Sequence, residues 1–305
     1  MIRFGVDVGG TKLEIIALDA AGQVLLRRRR PSPSQHYADM LDSIVSLVRE
    51  AEATLGQRGT VGLGIPGTLS PDHGRVKNAN SVCLIGQDLR GDLERRLDRP
   101  VRIANDADCF AWSEYCDGAG QGAASLFGVI LGTGVGGGLV INGGLVSGPN
   151  AIAGEWGHNP LPWPRDASEQ APACYCGKQG CIETWLSGPG LARTYRERTG
   201  QALDAAQLAQ AAACGDSAAE ACLEDYVDRL SRALATVINI VDPAVIVLGG
   251  GVSNLDRLYR EVPQRWGRHV FSDRVNTRLS RALHGDSSGV RGAAWLWPAA
   301  PQSNG

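Results

Sequence analysis

The sequence predicts an α/β protein built from two related halves. Short apolar strands alternate with helices of 3.6-residue periodicity, and glycine-rich turns follow several strands. One strand–turn–strand pattern also occurs twice, since residues 4–11 align with residues 127–134. We therefore expect two halves of common design that meet across a cleft.

The first predicted half alternates strands and helices. Residues 37–55 carry apolar side chains at helical spacing and stop before Gly56, a residue favoured just after a helix end. A strand at 61–65 runs into Pro66-Gly67, which predicts a turn. The remaining predicted elements are strands at 2–8, 13–18, 24–29 and 101–104 and helices at 88–97 and 107–115.

The second predicted half begins with strands and then becomes mostly helical. Residues 159–173 contain four prolines, which predicts an irregular loop. Helical periodicity dominates residues 186–240. The remaining predicted elements are strands at 125–131, 139–142 and 244–248 and helices at 253–266 and 289–295.

Composition and charge exclude several classes of protein. The chain has 305 residues, 43% of them hydrophobic and 20% charged, which excludes wholesale disorder. Its net charge of −2 argues against a nucleic-acid binder that relies on a basic surface. No apolar run reaches about 18 residues, so we expect no membrane span. The chain opens like a strand and not like a signal peptide, and we expect a cytoplasmic protein.

Glycine-rich turns after three strands form the first candidate binding feature. A glycine turn lets backbone N–H groups approach a phosphate with no Cβ in the way. Asp7 lies inside an apolar strand, where an ionised carboxylate needs a compensating cation. We interpret Asp7 as facing a metal–phosphate group, with tight hairpins and a turn cap as the structural alternative. The residues assigned to the phosphates and their metal are Asp7, Gly9, Gly10, Thr11, Lys12, Gly132, Thr133, Gly134, Gly136, Gly137, Gly249 and Gly250.

Three of the eight cysteines fall within eight residues and predict a metal site. Cys174, Cys176 and Cys181 have C-x-C-x4-C spacing, and a tetrahedral zinc ion needs a fourth ligand. His158 lies upstream of a loop that could fold back. We expect a Cys3His structural zinc site that holds residues 154–183 together. Three reduced surface cysteines are the alternative.

Several charged residues have both a functional and a structural interpretation. Asp106 follows a predicted strand and could accept a proton from a substrate hydroxyl, or Asn105 and Asp106 could simply cap a helix. Glu155 and Glu183 flank the predicted zinc ligands and suit the binding of polyol hydroxyls, with solvated loop charges as the alternative. The run of four arginines at residues 27–30 favours a solvated strand edge over an anion site.

Taken together, these motifs resemble the ROK family of repressors, open reading frames and sugar kinases over essentially the whole chain. Residues 4–12 and 131–138 resemble its two phosphate motifs. The family signature, which is highly specific, is matched by residues 154–158 followed by 174–183. Three further segments look like the bacterial fructokinase branch, namely residues 62–80, 159–163 and 284–297. The fifteen residues between His158 and Cys174 exceed the spacing typical of glucokinases in the family, which also fits that branch.

The resemblance implies an actin-like (ribonuclease H-like) ATPase fold with two lobes and an interlobe active-site cleft. We expect a small lobe of residues 1–112 plus 288–305 and a larger lobe of residues 113–287. The implied activity is an ATP- and Mg²⁺-dependent kinase that phosphorylates the 6-hydroxyl of D-fructose, and of mannose as well. The alternative is an N-acetylglucosamine kinase or glucokinase of the same family.

The resemblance also implies roles for individual residues. Asp106 would be the general base, and His158 would serve both zinc and sugar. The residues implied to bind sugar are Gly67, Asn80, Asn105, Glu155, His158 and Glu183. The residues implied to hold structural zinc are His158, Cys174, Cys176 and Cys181.

Two functions without catalysis compete with the kinase. A repressor of the family would carry an N-terminal helix-turn-helix, whereas the first strand here begins at Ile2. A sugar sensor would not need Asn105, Asp106 and the glycine turns intact. We therefore expect a kinase whose partners are ATP and a small sugar, with no nucleic acid or membrane, and the family suggests a homodimer.

Overall fold

The computed structural model describes residues 1–165 and 171–297. The chain folds into two compact units. Unit 1 comprises Met1–Gln121, Leu145–Ala153 and Asp286–Gly305, and unit 2 comprises Gly122–Gly144 and Gly154–Gly285. The lobe boundaries expected from the sequence, residues 1–112 plus 288–305 and residues 113–287, remain a prediction.

Along the chain, groups of up to three strands are separated by helices, and four helices in a row precede β11. The strands are β1 (Arg3–Val8), β2 (Lys12–Leu18), β3 (Val24–Pro31), β4 (Thr60–Ile65), β5 (Thr68–Leu69), β6 (Val76–Lys77), β7 (Val101–Asn105), β8 (Ser125–Leu131), β9 (Val135–Ile141), β10 (Gly144–Leu145), β11 (Val245–Gly249) and β12 (Arg278–Arg281). The helices are α1 (Tyr37–Leu55), α2 (Leu89–Leu97), α3 (Asp106–Cys116), α4 (Ile182–Leu186), α5 (Gly188–Thr199), α6 (Ala205–Ala213), α7 (Ser217–Val241), α8 (Arg257–Arg265) and α9 (Ser288–Trp295).

Unit 1 is built on a five-stranded sheet with the order β3-β2-β1-β4-β7. β1 pairs antiparallel with β2 and parallel with β4, and β4 pairs parallel with β7. Phe4, Val6 and Val8 of β1 belong to one apolar core with buried residues of α1 and α2. Because side chains alternate along a strand, Gly5 lies on the opposite face, where α9 packs.

Close approach of α9 to this sheet requires glycine. A Cβ on Gly5 would overlap Val290 O, and a Cβ on Gly62 would overlap Ala293 O. On the helix itself, a Cβ on Gly292 would overlap the backbone of α3. Gly5, Gly62 and Gly292 are therefore required for the packing of α9, a role that the sequence analysis did not predict.

Unit 2 repeats the same sheet topology with a more helical core. Its sheet has the order β10-β9-β8-β11-β12, with β8 antiparallel to β9 and parallel to β11. The helix α7 supplies much of the apolar core, in which Leu230 and Leu234 are fully buried. The shared strand order matches the internal repeat seen in the sequence.

Several predicted elements need correction. The strand predicted at 139–142 begins earlier, at Val135, and the helix predicted at 253–266 forms only from Arg257 after a short 3-10 turn. The helical region 186–240 is broken into α4 to α7. The sequence analysis also missed β5, β6, β10 and β12, which are short strands of two to four residues.

Among the helices of the described residues, none is both long enough and apolar enough to cross a bilayer.

Candidate active site

Asp7 lies near the end of β1 and pairs with Glu14 of β2. Burial raises the pKa of the Asp7 carboxyl from 3.8 to about 6, and the negative charges of Asp106 and Glu14 act in the same direction. Lys12, at the start of β2, lowers that pKa. A cation near Asp7 would relieve the repulsion between these acids, so the place suits a metal–phosphate group.

The first glycine turn connects Asp7 to β2. The N–H of Gly9 donates to the carbonyl of Lys12 at 3.0 Å, and a Cβ on Gly9 would lie 2.9 Å from that oxygen. Gly10 and Thr11 are exposed at the tip of the turn. The turn therefore presents backbone that an anion can approach.

The arginine-rich strand β3 neutralises the buried Glu14. The side chain of Glu14 is 1% exposed, and its carboxylate accepts hydrogen bonds from Arg27 and, at 2.6 Å, from Arg29. Arg28 and Arg30 instead bind Thr54 and Glu50 of α1. The four arginines at residues 27–30 lie on an edge strand, as expected, but each of them binds a specific partner.

Asn105 and Asp106 lie at the junction of β7 and α3. Asn105 is the N-cap of α3, with its side-chain oxygen 2.8 Å from Ala107 N. Its amide also donates to Gly67 O at 3.2 Å. One oxygen of Asp106 accepts from the same Ala107 N–H at 2.8 Å. Capping by Asn105 thus accounts for the helix start without Asp106, whose general-base role remains a prediction.

Gly67 lies beside this junction. Gly67 has φ of 138°, and a Cβ there would lie 2.7 Å from Lys77 O and 3.0 Å from the Cβ of Ala79. Asn80, which follows Ala79 in the chain, is exposed. The hydrogen bond therefore joins Gly67 to Asn105, next to Asp106, and a role for Asn80 remains a prediction.

The second glycine turn lies between β8 and β9 of unit 2. Gly132 N donates to Gly134 O at 3.0 Å, and Thr133 is exposed at the tip. Glu183 accepts a hydrogen bond from Val135 N at 2.9 Å, and a Cβ on Gly134 would contact the same carboxylate. Glu183 is therefore fixed against the turn.

The other predicted glycines of unit 2 have contacts of their own. Gly136 and Gly137 lie within β9, where Gly136 O accepts from Trp156 Nε1 at 3.1 Å and a Cβ on Gly137 would lie 2.8 Å from the Trp156 ring. Gly249 ends β11, and Gly250, with φ of 84°, packs against the backbone of Leu131. The structure thus gives Gly136, Gly137 and Gly250 packing contacts.

A cavity of about 650 Å³ opens beside the second glycine turn. Its walls are mostly apolar, and it reaches from the turn to the start of α6 and the segment after β11. The lining residues are Gly132, Thr133, Gly188, Pro189, Ala192, Ala202, Leu203, Asp204, Ala205, Ala206, Gly251 and Val252. Its size and apolar walls suit a flat organic group next to a phosphate-binding turn.

The predicted metal ligands lie together in unit 2. One ligand atom from each of His158, Cys174, Cys176 and Cys181 lies within 4.8 Å of the others. His158 Nδ1 is 3.6 Å from Cys174 Sγ, and Cys176 Sγ is 3.6 Å from Cys181 Sγ. A hydrogen bond from the Lys178 backbone lowers the pKa of the Cys176 thiol, whereas burial raises that of Cys181 to about 12. The group could hold one metal ion.

Glu155 and Tyr175 border this cluster. Glu155 is exposed and precedes the short turn Trp156–His158. The hydroxyl of Tyr175 lies 3.1 Å from His158 Nε2. The sequence analysis missed Tyr175, although its position between two cysteine ligands was a usable signal. Part of the loop that separates His158 from Cys174, residues 166–170, lies outside the described residues.

Comparisons with known proteins identify one family and its sugar kinases. The ROK family model matches residues 3–300. The N-acetyl-D-glucosamine kinase of Yersinia enterocolitica is 41% identical over 297 residues, covering 96% of this chain and 98% of that protein. The N-acetyl-D-glucosamine kinase of Vibrio cholerae is 42% identical over 298 residues with the same coverage.

Solved structures agree in fold. The ROK hexokinase from Thermus thermophilus has a TM-score of 0.85 and 31% identity, covering 96% of this chain and 97% of that one. A ROK family glucokinase from Streptomyces griseus, in complex with glucose and AMPPNP, has a TM-score of 0.79 and 27% identity, covering 97% and 99%. The expected actin-like fold is confirmed.

The expectation of a fructokinase is wrong, because the curated relatives at 41–42% identity are N-acetyl-D-glucosamine kinases. That expectation rested on three short segments, residues 62–80, 159–163 and 284–297, and on the length of one loop. Such features report how a loop folds, whereas the choice of sugar depends on contacts around the sugar ring.

Proposed function

Since this chain belongs to the ROK family, we propose that it transfers the γ-phosphoryl group of MgATP to the 6-hydroxyl of N-acetyl-D-glucosamine. The coarser activity, that of an ATP-dependent sugar kinase, follows from the family and from its relatives. The observation that carries the choice of sugar is the 41% identity, over 96% of the chain, to an N-acetyl-D-glucosamine kinase. Cytoplasmic location and a homodimer stay predictions.

The two glycine turns are the proposed phosphate-binding elements. Phosphoryl transfer depends mainly on positioning and on charge stabilisation. In unit 1, Asp7 and Lys12 flank a turn with an exposed tip, which suits a metal-bound phosphate. In unit 2, the apolar cavity beside Thr133 is large enough for a nucleoside.

Asp106 is the proposed proton acceptor. It is the first residue of α3, directly after β7, where its carboxylate can accept a proton from a substrate hydroxyl. Asn105 and Gly67, linked by their hydrogen bond, lie next to it and would orient the sugar. As the bond to phosphorus forms, the sugar hydroxyl gives its proton to Asp106.

Zinc is the metal that best fits the Cys/His cluster. Tetrahedral zinc with Zn–S bonds of about 2.3 Å separates two sulfur ligands by about 3.8 Å. The 3.6 Å between Cys176 Sγ and Cys181 Sγ agrees with that spacing. A bound ion would hold the segment that carries Glu155 and His158, and so would support the sugar-binding side of unit 2.

The test is steady-state kinetics of the purified protein with MgATP, measured by coupled ADP release. The acceptors are N-acetyl-D-glucosamine, glucose, mannose and fructose. We expect kcat/KM to be at least about tenfold higher for N-acetyl-D-glucosamine, since a site built to hydrogen-bond the acetamido group rejects sugars that lack it. A higher kcat/KM for any other sugar would overturn the proposed substrate.

A further inference from the structure

Glu183, one of the expected sugar ligands, also contacts the second glycine turn. Its Oε2 accepts a hydrogen bond from Val135 N at 2.9 Å, at the peptide that joins Gly134 to β9. A carboxylate has further lone pairs for a ligand, and Glu183 lines a cavity of about 360 Å³ together with Thr133 of the turn. Glu183 can therefore bind the turn and a ligand hydroxyl at the same time.

The short helix α4, which carries Glu183, is itself attached to this turn. Gly188 N, two residues beyond the end of α4, donates to Gly132 O at 2.8 Å. Between these points, Ser187 N donates to Glu183 O at 3.1 Å. Because the main chain is held in this way, a change of space beside the turn moves the Glu183 side chain and not its backbone.

Gly134 leaves the space that the Glu183 carboxylate occupies. A Cβ at position 134 would lie 2.5 Å from Glu183 Oε2 and 3.4 Å from its Cδ. The φ angle of Gly134 is not positive, so an alanine can adopt the same backbone conformation. Glycine is therefore required here for space, and a methyl group would displace the end of a flexible side chain without disturbing the fold.

We propose that Gly134 is a positioning residue for the acceptor sugar, because the absence of a side chain there determines where the Glu183 carboxylate lies. This rests on the proposed function, in which Glu183 binds the sugar. A glycine of the phosphate-binding turn then controls sugar affinity even when no nucleotide is bound. A residue that only binds phosphate would have no such effect.

The test is Gly134→Ala in the full-length, zinc-loaded protein, titrated with N-acetyl-D-glucosamine by calorimetry in the absence of nucleotide. The Kd should rise about tenfold, as expected when a hydrogen bond to a charged group is weakened. Gly132→Ala is the matched control, since it adds a methyl group to the same turn with Ile130 Cγ2, at 3.8 Å, as the nearest contact. Its Kd for the sugar should stay within about twofold of the wild-type value.

Glu183→Asp tests whether Gly134 acts through this carboxylate, because it draws the carboxylate back by one methylene group. In the Glu183→Asp background, Gly134→Ala should raise the Kd by less than about twofold, since the methyl group then has room. An equal increase in both backgrounds would overturn the inference, because Gly134 would then act independently of Glu183. A Kd for Gly134→Ala within about threefold of wild type would do the same.

Zinc content and the denaturation midpoint of Gly134→Ala should match those of wild type. A higher Kd accompanied by loss of zinc or of folded protein would contradict the inference, because the carboxylate alone is expected to move. If wild type phosphorylates N-acetyl-D-glucosamine, the proposed function stands whatever Gly134→Ala shows. If wild type prefers another of the four sugars, the proposed substrate fails and the variants are titrated with that sugar. If wild type binds none of them, both proposals fail.

Discussion

The two units share a strand order but carry different chemistry at their first hairpin. In unit 1, Asp7 pairs with Glu14 across β1 and β2, whereas at the same place in unit 2 Ile130 pairs with Gly136. The charged pair is linked to the arginines of β3, and the uncharged pair supports Trp156. The hairpin of unit 1 therefore carries its own charged pair, whereas the hairpin of unit 2 is uncharged and its turn is contacted by Glu183 of α4.

This difference indicates that the two units have different chemical roles. Unit 1 contributes carboxylates that can bind a cation or accept a proton. Unit 2 contributes an uncharged hairpin, the Glu183 carboxylate and a Cys/His cluster that could hold a metal ion. Changes in unit 1 should therefore act on turnover, and changes around the metal cluster of unit 2 should act on loop order and sugar binding.

The largest effect is expected from Asp106→Asn, which removes the proton acceptor and keeps an oxygen for the Ala107 N–H. Turnover should fall by about 10²–10⁴, the usual range for loss of general-base catalysis. Asp39→Asn, in the first turn of α1, is the matched control and should retain wild-type kcat. Near-normal kcat in Asp106→Asn would contradict the proton-acceptor role of Asp106 and the expectation that changes in unit 1 act on turnover.

The corresponding change in unit 2 is Cys176→Ala. It removes one of four ligands, so zinc affinity should fall by at least about 100-fold, beyond the 10–100-fold typical of lost outer-shell partners. Residues 154–158, which carry Glu155 and His158, should then exchange their amide hydrogens faster, as measured by hydrogen exchange. Retention of one tightly bound zinc ion per chain would show that Cys176 is not a ligand.

A third prediction tests whether glycine in unit 1 serves packing. Gly292→Ala places a Cβ against Cys109 O and should lower the free energy of unfolding by about 3 kcal/mol. Gly289→Ala, on the same helix but with open space around its Cβ, should change it by less than about 1 kcal/mol. Chemical denaturation of both variants gives the comparison. Equal stability of the two variants would contradict the close packing of α9.

The smallest of these effects concerns the pH dependence of stability at Asp7. Its folded pKa of about 6 exceeds the ordinary 3.8, so the folded state binds the proton more tightly and stability falls as pH rises from about 4 to about 6. Asp7→Asn removes that loss and should stabilise the protein by about 2 kcal/mol above pH 6, with little effect at pH 4.

Denaturation of Asp7→Asn and wild type at pH 4, 6 and 8, without Mg²⁺ or nucleotide, measures the difference. The same variant should lose activity, because the place suits a cation only when the carboxylate is charged. A variant less stable than wild type at pH 8 would contradict the repulsion between acids in unit 1.

Local patterns predicted the hairpins and the metal cluster, because a glycine turn and closely spaced cysteines act over a few residues. The neutralisation of Glu14 was not predictable in this way, since it depends on the register of β2 against β3. The packing role of Gly292 depends likewise on contact between α3 and α9, which are far apart in the chain. The prediction of fructose as the substrate was wrong for a similar reason, because the choice of sugar depends on contacts from several parts of the chain and not on a single loop.

The most direct test of the account is a competition in one tube. Equimolar N-acetyl-D-glucosamine, glucose, mannose and fructose are given limiting MgATP and the wild-type protein, and the products are identified by phosphorus NMR. The account predicts N-acetyl-D-glucosamine 6-phosphate as the main product. A different phosphorylated sugar as the main product, or phosphate on another hydroxyl, would contradict it.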